Sequence, residues 1–174
     1  MGDARTIALQ DAITWVSGVF TDHRVPFQIV GGTAAFAHGG RRPIVDIDIY
    51  APLSQAGPLL DEIRRHIVWG PESYRDQHWD LTFLKIDYGD ARIEIGDTDS
   101  SPRYYSATHG MWLDQVIDYS RSVWLSVFDV VVPVMPLPEL IEYKTALGRP
   151  VDLVDVAELH QGSSEQTPPG PPPR

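Results

Sequence analysis

Residues 44–50 read Ile-Val-Asp-Ile-Asp-Ile-Tyr, and no other stretch constrains the chain as much. A period of two makes this a strand with Asp46 and Asp48 on one face. Strand rise then sets the two side chains roughly 7 Å apart. Two carboxylates that close repel each other, and a divalent cation held between them is the simplest resolution. Mg²⁺ takes few protein carboxylates and completes its octahedron with water and substrate phosphates, so an Asp pair is a fitting supply. The plain alternative is a solvated strand face. Thirteen residues upstream, a short apolar run, Val25–Val30, stops at Gly31-Gly32 before the small, helix-compatible Thr33–His38. A Gly pair lets backbone pass close to a ligand and offers amide donors for a phosphate, or it forms a plain tight turn. Glu94, between Ile93 and Ile95 on a further expected strand, is placed to add a third carboxylate, or is an edge-strand charge.

Around this segment the pattern alternates helices and strands. Leu9, Ala12, Ile13, Val16 and Phe20 share one helical stripe, and Leu59, Leu60, Ile63 and Ile67 mark a second helix. Trp79–Tyr88 and Arg92–Ile95 read as strands joined at Gly89-Asp90. Residues 97–110 read as a loop, Met111–Tyr119 as a short helix, and Val127–Val134 as one strand. Pro138 opens a helix that Gly148 stops near Leu147, and Pro150 starts a last helix to about His160. The expected fold class is therefore α+β, a mixed β-sheet packed by helices. It divides into one domain over 1–160 and a Pro-rich disordered tail over 161–174.

Composition narrows the functions. Lys and Arg number 14 against 24 Asp and Glu, a net charge of −10, which argues against nucleic-acid binding through a broad positive face. The absence of cysteine excludes disulfides, thiolate metal sites and a Cys nucleophile. The six histidines show no paired metal-ligand spacing. No apolar run approaches a membrane span and no secretory leader is recognisable, so the expectation is a cytoplasmic protein without a membrane partner.

The apolar-Gly-Gly motif, the spacer, Asp-apolar-Asp-apolar and the later apolar-acid-apolar together resemble the nucleotidyltransferase superfamily of DNA polymerase β type. The stretch Leu137-Pro-Glu-Leu-Ile-Glu-Tyr-Lys144-Thr-Ala-Leu-Gly-Arg149-Pro-Val-Asp152-Leu-Val-Asp155 resembles the small AbiEii-like members, which include toxins of bacterial toxin–antitoxin pairs. The resemblance spans about residues 25–160. It implies a nucleotidyltransferase fold in which Asp46, Asp48 and Glu94 ligate Mg²⁺ (two ions) or Mn²⁺. Glu94 would alternatively serve as base toward the acceptor hydroxyl. Gly31, Gly32, Thr33 and Arg42 would contact the nucleotide, Lys144 its phosphates, and Asp152 would be the acid of the last motif. Gly32 stands where many relatives carry Ser, and Ile44 where they carry a small hydroxyl residue.

Lys144 also falls on the apolar stripe of its helix with Leu140 and Leu147, so it needs an anion to meet or must snorkel outward. Asp152 suits the first turn of a helix on dipole grounds alone, and Asp155 is placed to pair with Arg149. His78, Trp79, Tyr104 and Tyr105 are candidates to stack on a base, although such aromatics more often pack a core or rim. The implied activity is transfer of a nucleotide from an NTP such as ATP, with release of pyrophosphate. The acceptor is tRNA in a toxin-type reading with a cognate antitoxin; the alternatives are a protein or an antibiotic-like small molecule. A catalytically idle nucleotide- or partner-binding module is the competitor from another class.

Overall fold

The computed structural model describes residues 3–165. The first helix, α1 (Ala4–Asp22), starts where the Asp3 carboxylate accepts from the Thr6 amide at 2.7 Å, a side-chain N-cap. It buries Leu9, Ala12, Ile13, Val16, Val19 and Phe20, the stripe expected from their spacing. Strand β1 (Gln28–Val30) is shorter than the apolar run predicts. The Val25 amide is spent closing α1 on the Phe20 carbonyl, and Pro26 has no amide to give a ladder.

Then come α2 (Gly31–Ala37), β2 (Ile47–Ala51) and α3 (Gly57–Ile63). Ile67 does not extend α3, as the sequence suggests. A tight turn over Arg64–His66 intervenes, and Ile67 opens β3 (Ile67–Arg75) against Ile86 of β4 (Trp79–Tyr88). Strand β3 is mostly exposed and pairs with β4 alone among the described strands, so it carries no alternating apolar signal. Strand β5 (Ala91–Asp97) returns from β4 through Gly89-Asp90, as expected.

The segment expected to be a loop and then a helix is instead a hairpin, β6 (Arg103–Ser106) and β7 (Met111–Asp114). Its cross-strand pairs include Arg103 with Asp114 and Tyr105 with Trp112. The single strand expected over Val127–Val134 is also a hairpin, β8 (Val123–Val127) and β9 (Val130–Val134). Phe128 and Asp129 turn it with φ of 48° and 65°. Helix α4 (Leu137–Leu147) ends at Gly148 as predicted, and α5 (Pro150–Glu165) continues through Gln161–Glu165, where the tail was expected to start. The Pro-rich remainder of that tail lies outside the described residues.

The strands form one mixed sheet in the order β7-β6-β4-β5-β2-β1-β9-β8, with β3 on β4; β1/β9 and β2/β5 are the parallel pairs. The core runs from α1 onto β5 and β9 and continues under α2. The start of β2 and the middle of β5, which carry Asp48 and Glu94, lie side by side in the central part of the sheet. Among the described residues no helix is long and apolar enough to cross a membrane.

Candidate active site

Register places the carboxylates. Parallel pairing of β2 with β5 sets Asp48 opposite Glu94, and antiparallel pairing of β2 with β1 sets Asp48 opposite Val30, next to Gly31. Asp46 lies one residue before β2, where its carbonyl accepts the buried Thr33 hydroxyl at 3.1 Å. Carboxylate oxygens of Asp46, Asp48 and Glu94 come within 4.8 Å of one another.

Crowding and burial perturb these groups. Burial, followed by the charges of Asp46 and Glu94, pushes the Asp48 carboxyl well above the ordinary carboxylate range. Burial and then Asp46 raise Glu94, opposed by the Lys85 ammonium 3.7 Å away on β4. An all-oxygen, triply acidic cluster whose members resist shared ionisation fits a hard divalent cation such as Mg²⁺ or Mn²⁺, and offers no soft ligand for other metals.

Glycine is required beside this cluster. Gly31 has φ of +63°, and a Cβ there would lie 2.1 Å from Asp48 Oδ2. A Cβ on Gly32 would lie 3.0 Å from Arg42 Nη2, so the Arg42 guanidinium stands over the Gly pair.

The cluster sits in a cavity of about 400 Å³. One wall is the inward face of β4, where alternation presents Trp79, Leu81, Phe83 and Lys85, with Tyr74 of β3 paired to Leu81. A second wall carries Gly31, Gly32, Arg42, Tyr143, Lys144 and Arg149.

Behind that second wall runs a chain of alternating charges. Asp155 receives Arg42 Nε at 2.8 Å and Nη2 at 2.9 Å, and Lys144 Nζ at 2.8 Å. Asp152 receives Arg149 Nε at 2.7 Å and Nη2 at 3.0 Å, with Lys144 Nζ at 3.4 Å. Burial alone would raise the Asp155 carboxyl; hydrogen bonds from Arg42 and Lys144 outweigh it and hold the group below its usual range. Arg149 also lies 4.5 Å over the Trp79 ring, and Trp79 Nε1 donates to the Tyr143 hydroxyl at 3.1 Å.

The structure thus brings Asp46, Asp48, Glu94, Gly31, Gly32, Arg42 and Lys144 to one cavity and sets two expected residues behind it. Thr33 is fully buried and its hydroxyl holds the Asp46 backbone. Asp152 is 0 % exposed, behind Lys144 and Arg149. Lys144 itself is 2 % exposed and finds its anions inside the protein. Arg149 pairs with Asp152, and Asp155 pairs with Arg42; the Arg149–Asp155 brace expected from local spacing does not form, because Asp152 is nearer in the helix and Asp155 points to the α2–β2 connection. Of the four candidate stacking residues only Trp79 lines the cavity. Tyr104 packs edge-on against Tyr143, Tyr105 against Trp112 and His78 against Trp79. Lys85 and Tyr143 were not anticipated; the odd-numbered alternation Trp79-Leu81-Phe83-Lys85 carried the signal for the first, and nothing local carried it for the second.

No family model matches the chain, and no curated protein matches it. Solved structures do. A candidate nucleotidyltransferase from Thermotoga maritima superposes with a TM-score of 0.62 at 16% identity, over 90% of this chain and 95% of that one. The lincosamide antibiotic adenylyltransferase LnuA, solved with lincomycin, gives 0.54 at 12% identity over 85% and 94%. ANT(2")-Ia, solved with adenylyl-2"-tobramycin, gives 0.55 at 16% identity over 88% of each chain. The fold is that of the nucleotidyltransferases.

Proposed function

We propose that this protein transfers a nucleoside monophosphate from an NTP to a hydroxyl of a small-molecule acceptor. The observation that carries the reading is the convergence of Asp46, Asp48 and Glu94 at the floor of a cavity whose other wall is Gly31, Gly32 and arginine, in a fold shared with two antibiotic adenylyltransferases.

Asp46, Asp48 and Glu94 would hold Mg²⁺ or Mn²⁺, which when bound neutralises phosphoryl charge and polarises the α-phosphate. The Gly31-Gly32 backbone allows the triphosphate close approach, and Arg42 supplies positive charge above it. The acceptor hydroxyl oxygen forms a bond to the α-phosphorus, the bond to the bridging oxygen of the β-phosphate breaks, and pyrophosphate departs. In the alternative in which Asp46 and Asp48 alone hold the metal, the hydroxyl proton passes to Glu94 as base.

Two features favour a small acceptor. The net charge is −10, and the cations Arg42, Lys85, Lys144 and Arg149 line one cavity, which is no extended positive track for a nucleic-acid backbone. A tRNA acceptor and a cognate antitoxin rest on the sequence resemblance alone.

The test is transfer of label from α-³²P NTPs, with Mg²⁺, to lincomycin, tobramycin or bulk tRNA. Wild type should label a small acceptor and Asp48→Asn should not. Labelling of tRNA alone would replace the small-acceptor reading. Equal background for wild type and Asp48→Asn on every acceptor, with no pyrophosphate released, would overturn the enzymatic one.

A further inference from the structure

We infer that Arg149 and Arg42 together form the triphosphate-binding pair of this cavity, that Asp152 and Asp155 hold them in place, and that Lys144 is the tie between those two acids and not a phosphate ligand. This rests on the nucleotidyl-transfer reading above.

The first argument is donor accounting. Each arginine spends Nε and Nη2 on one α5 carboxylate as a bidentate fork. Among the described residues neither Nη1 has a hydrogen-bond partner, and both guanidinium groups line the cavity with side chains 28 % exposed. A guanidinium locked along one edge still presents its remaining N–H groups in a fixed plane, the arrangement suited to phosphate oxygens. Lys144 is the reverse case. It is the most enclosed of the three cations, and its ammonium is directed to both carboxylates.

The second argument is charge. Three cations share the two α5 carboxylates, so this group carries one positive charge more than those acids balance. It is the part of the cavity lining where cations outnumber their direct carboxylate partners, and so the part where an anion gains most.

The third argument is spacing. Asp152 and Asp155 are three residues apart on α5, so their side chains emerge about 5–6 Å from each other on one face. They deliver two guanidinium groups to neighbouring positions, suited to adjacent phosphoryl groups of one ligand. Arg42 stands over Gly32, and Arg149 is clamped in plane by the Trp79 ring, which Tyr143 anchors in turn.

The experiment is isothermal titration of the full chain with inorganic tripolyphosphate and, separately, ATP, both with Mg²⁺. Wild type should bind both. Arg149→Gln and Arg42→Gln should each weaken tripolyphosphate by at least about tenfold, and Arg149→Lys should recover only part of the loss. Arg121→Gln, which removes a cation paired with Glu139 outside the cavity, should change nothing. The positioning role of the acids has its own readout. Removing a negative charge beside an anion site tightens binding if the acid acts only through charge. If Asp152 holds the Arg149 fork, Asp152→Asn weakens binding instead, by about threefold or more. Thermal melts identify any variant that fails to fold, and Arg149→Lys then stands in for Arg149→Gln. Unchanged affinity in Arg149→Gln, or tighter binding in Asp152→Asn, overturns the inference and leaves nucleotidyl transfer standing. A wild type that binds neither tripolyphosphate nor ATP overturns both.

Discussion

Gly31 is the position where backbone conformation and site chemistry meet, and Gly31→Ala separates them. The backbone there has φ of +63°, which costs a non-glycine residue roughly 1–2 kcal/mol. The added Cβ would lie 2.1 Å from Asp48 Oδ2 where real contacts stay beyond 3.0 Å, so the carboxylate must retreat by about 1 Å. Overpacking of that kind adds about 1–3 kcal/mol. The expected loss of about 2–5 kcal/mol lowers Tm by about 4–20 °C in a chain of this length. If Asp48 holds the metal as proposed, moving its carboxylate by about 1 Å should also weaken Mn²⁺ binding by about 10–100-fold. Gly39→Ala is the control: φ is +99° but nothing lies within 4 Å of the new Cβ. It should carry the backbone strain without the collision, with a smaller drop in Tm and unchanged Mn²⁺ affinity. Thermal melts of metal-free protein followed by circular dichroism, and free Mn²⁺ counted by electron paramagnetic resonance, read the two effects separately. If Gly31→Ala matches Gly39→Ala in both, close approach to Asp48 is not what the glycine serves.

Other consequences are open to direct measurement. Lys144→Met removes a fully enclosed cation from between two carboxylates and should cost about 3 kcal/mol in urea unfolding, as breaking a buried ion pair does. Asp155→Asn should be less stable than wild type at neutral pH. Its folded-state carboxyl is held below the usual 3.8, so the contribution is complete above that value and disappears as pH falls through the lowered one; the two proteins should converge in urea titrations run down toward pH 3. Thr33→Val leaves the Asp46 carbonyl without its buried donor and should cost about 1–3 kcal/mol in thermal unfolding, with weaker Mn²⁺ binding because Asp46 is no longer braced. A variant that keeps full metal affinity would detach Thr33 from the site.

Elements were legible in the sequence where their signal is local. Helix α1 follows from an apolar stripe on one face, and α4 from a proline at its start and a glycine at its end. The β4–β5 hairpin follows from alternation on both sides of Gly89-Asp90. Strands β3 and β7 escaped because they lie at the sheet's margin, where exposure removes the apolar alternation that marks a buried strand. Strand β6 does alternate in burial, but its four residues, Arg-Tyr-Tyr-Ser, are too few and too polar to show it in the sequence. The β8–β9 turn escaped because Phe128 and Asp129 take positive φ without a glycine to announce it.

The site divides in the same way. The sequence alone determined the acidic pair, because strand geometry converts the spacing of Asp46 and Asp48 into proximity, and it marked Gly31, whose lack of a side chain admits Asp48. Tertiary structure decided the partners. Glu94 joins the pair only through parallel pairing of β2 with β5, and Arg42 meets Asp155 across 113 residues of chain. It also decided the roles. Lys144 and Arg149 are both cations near the end of α4, alike by local criteria, yet one is enclosed between two acids and the other lies on an aromatic ring facing the cavity. Charge and periodicity are properties of neighbours in sequence, whereas desolvation and hydrogen-bond geometry depend on which distant surfaces packing brings together.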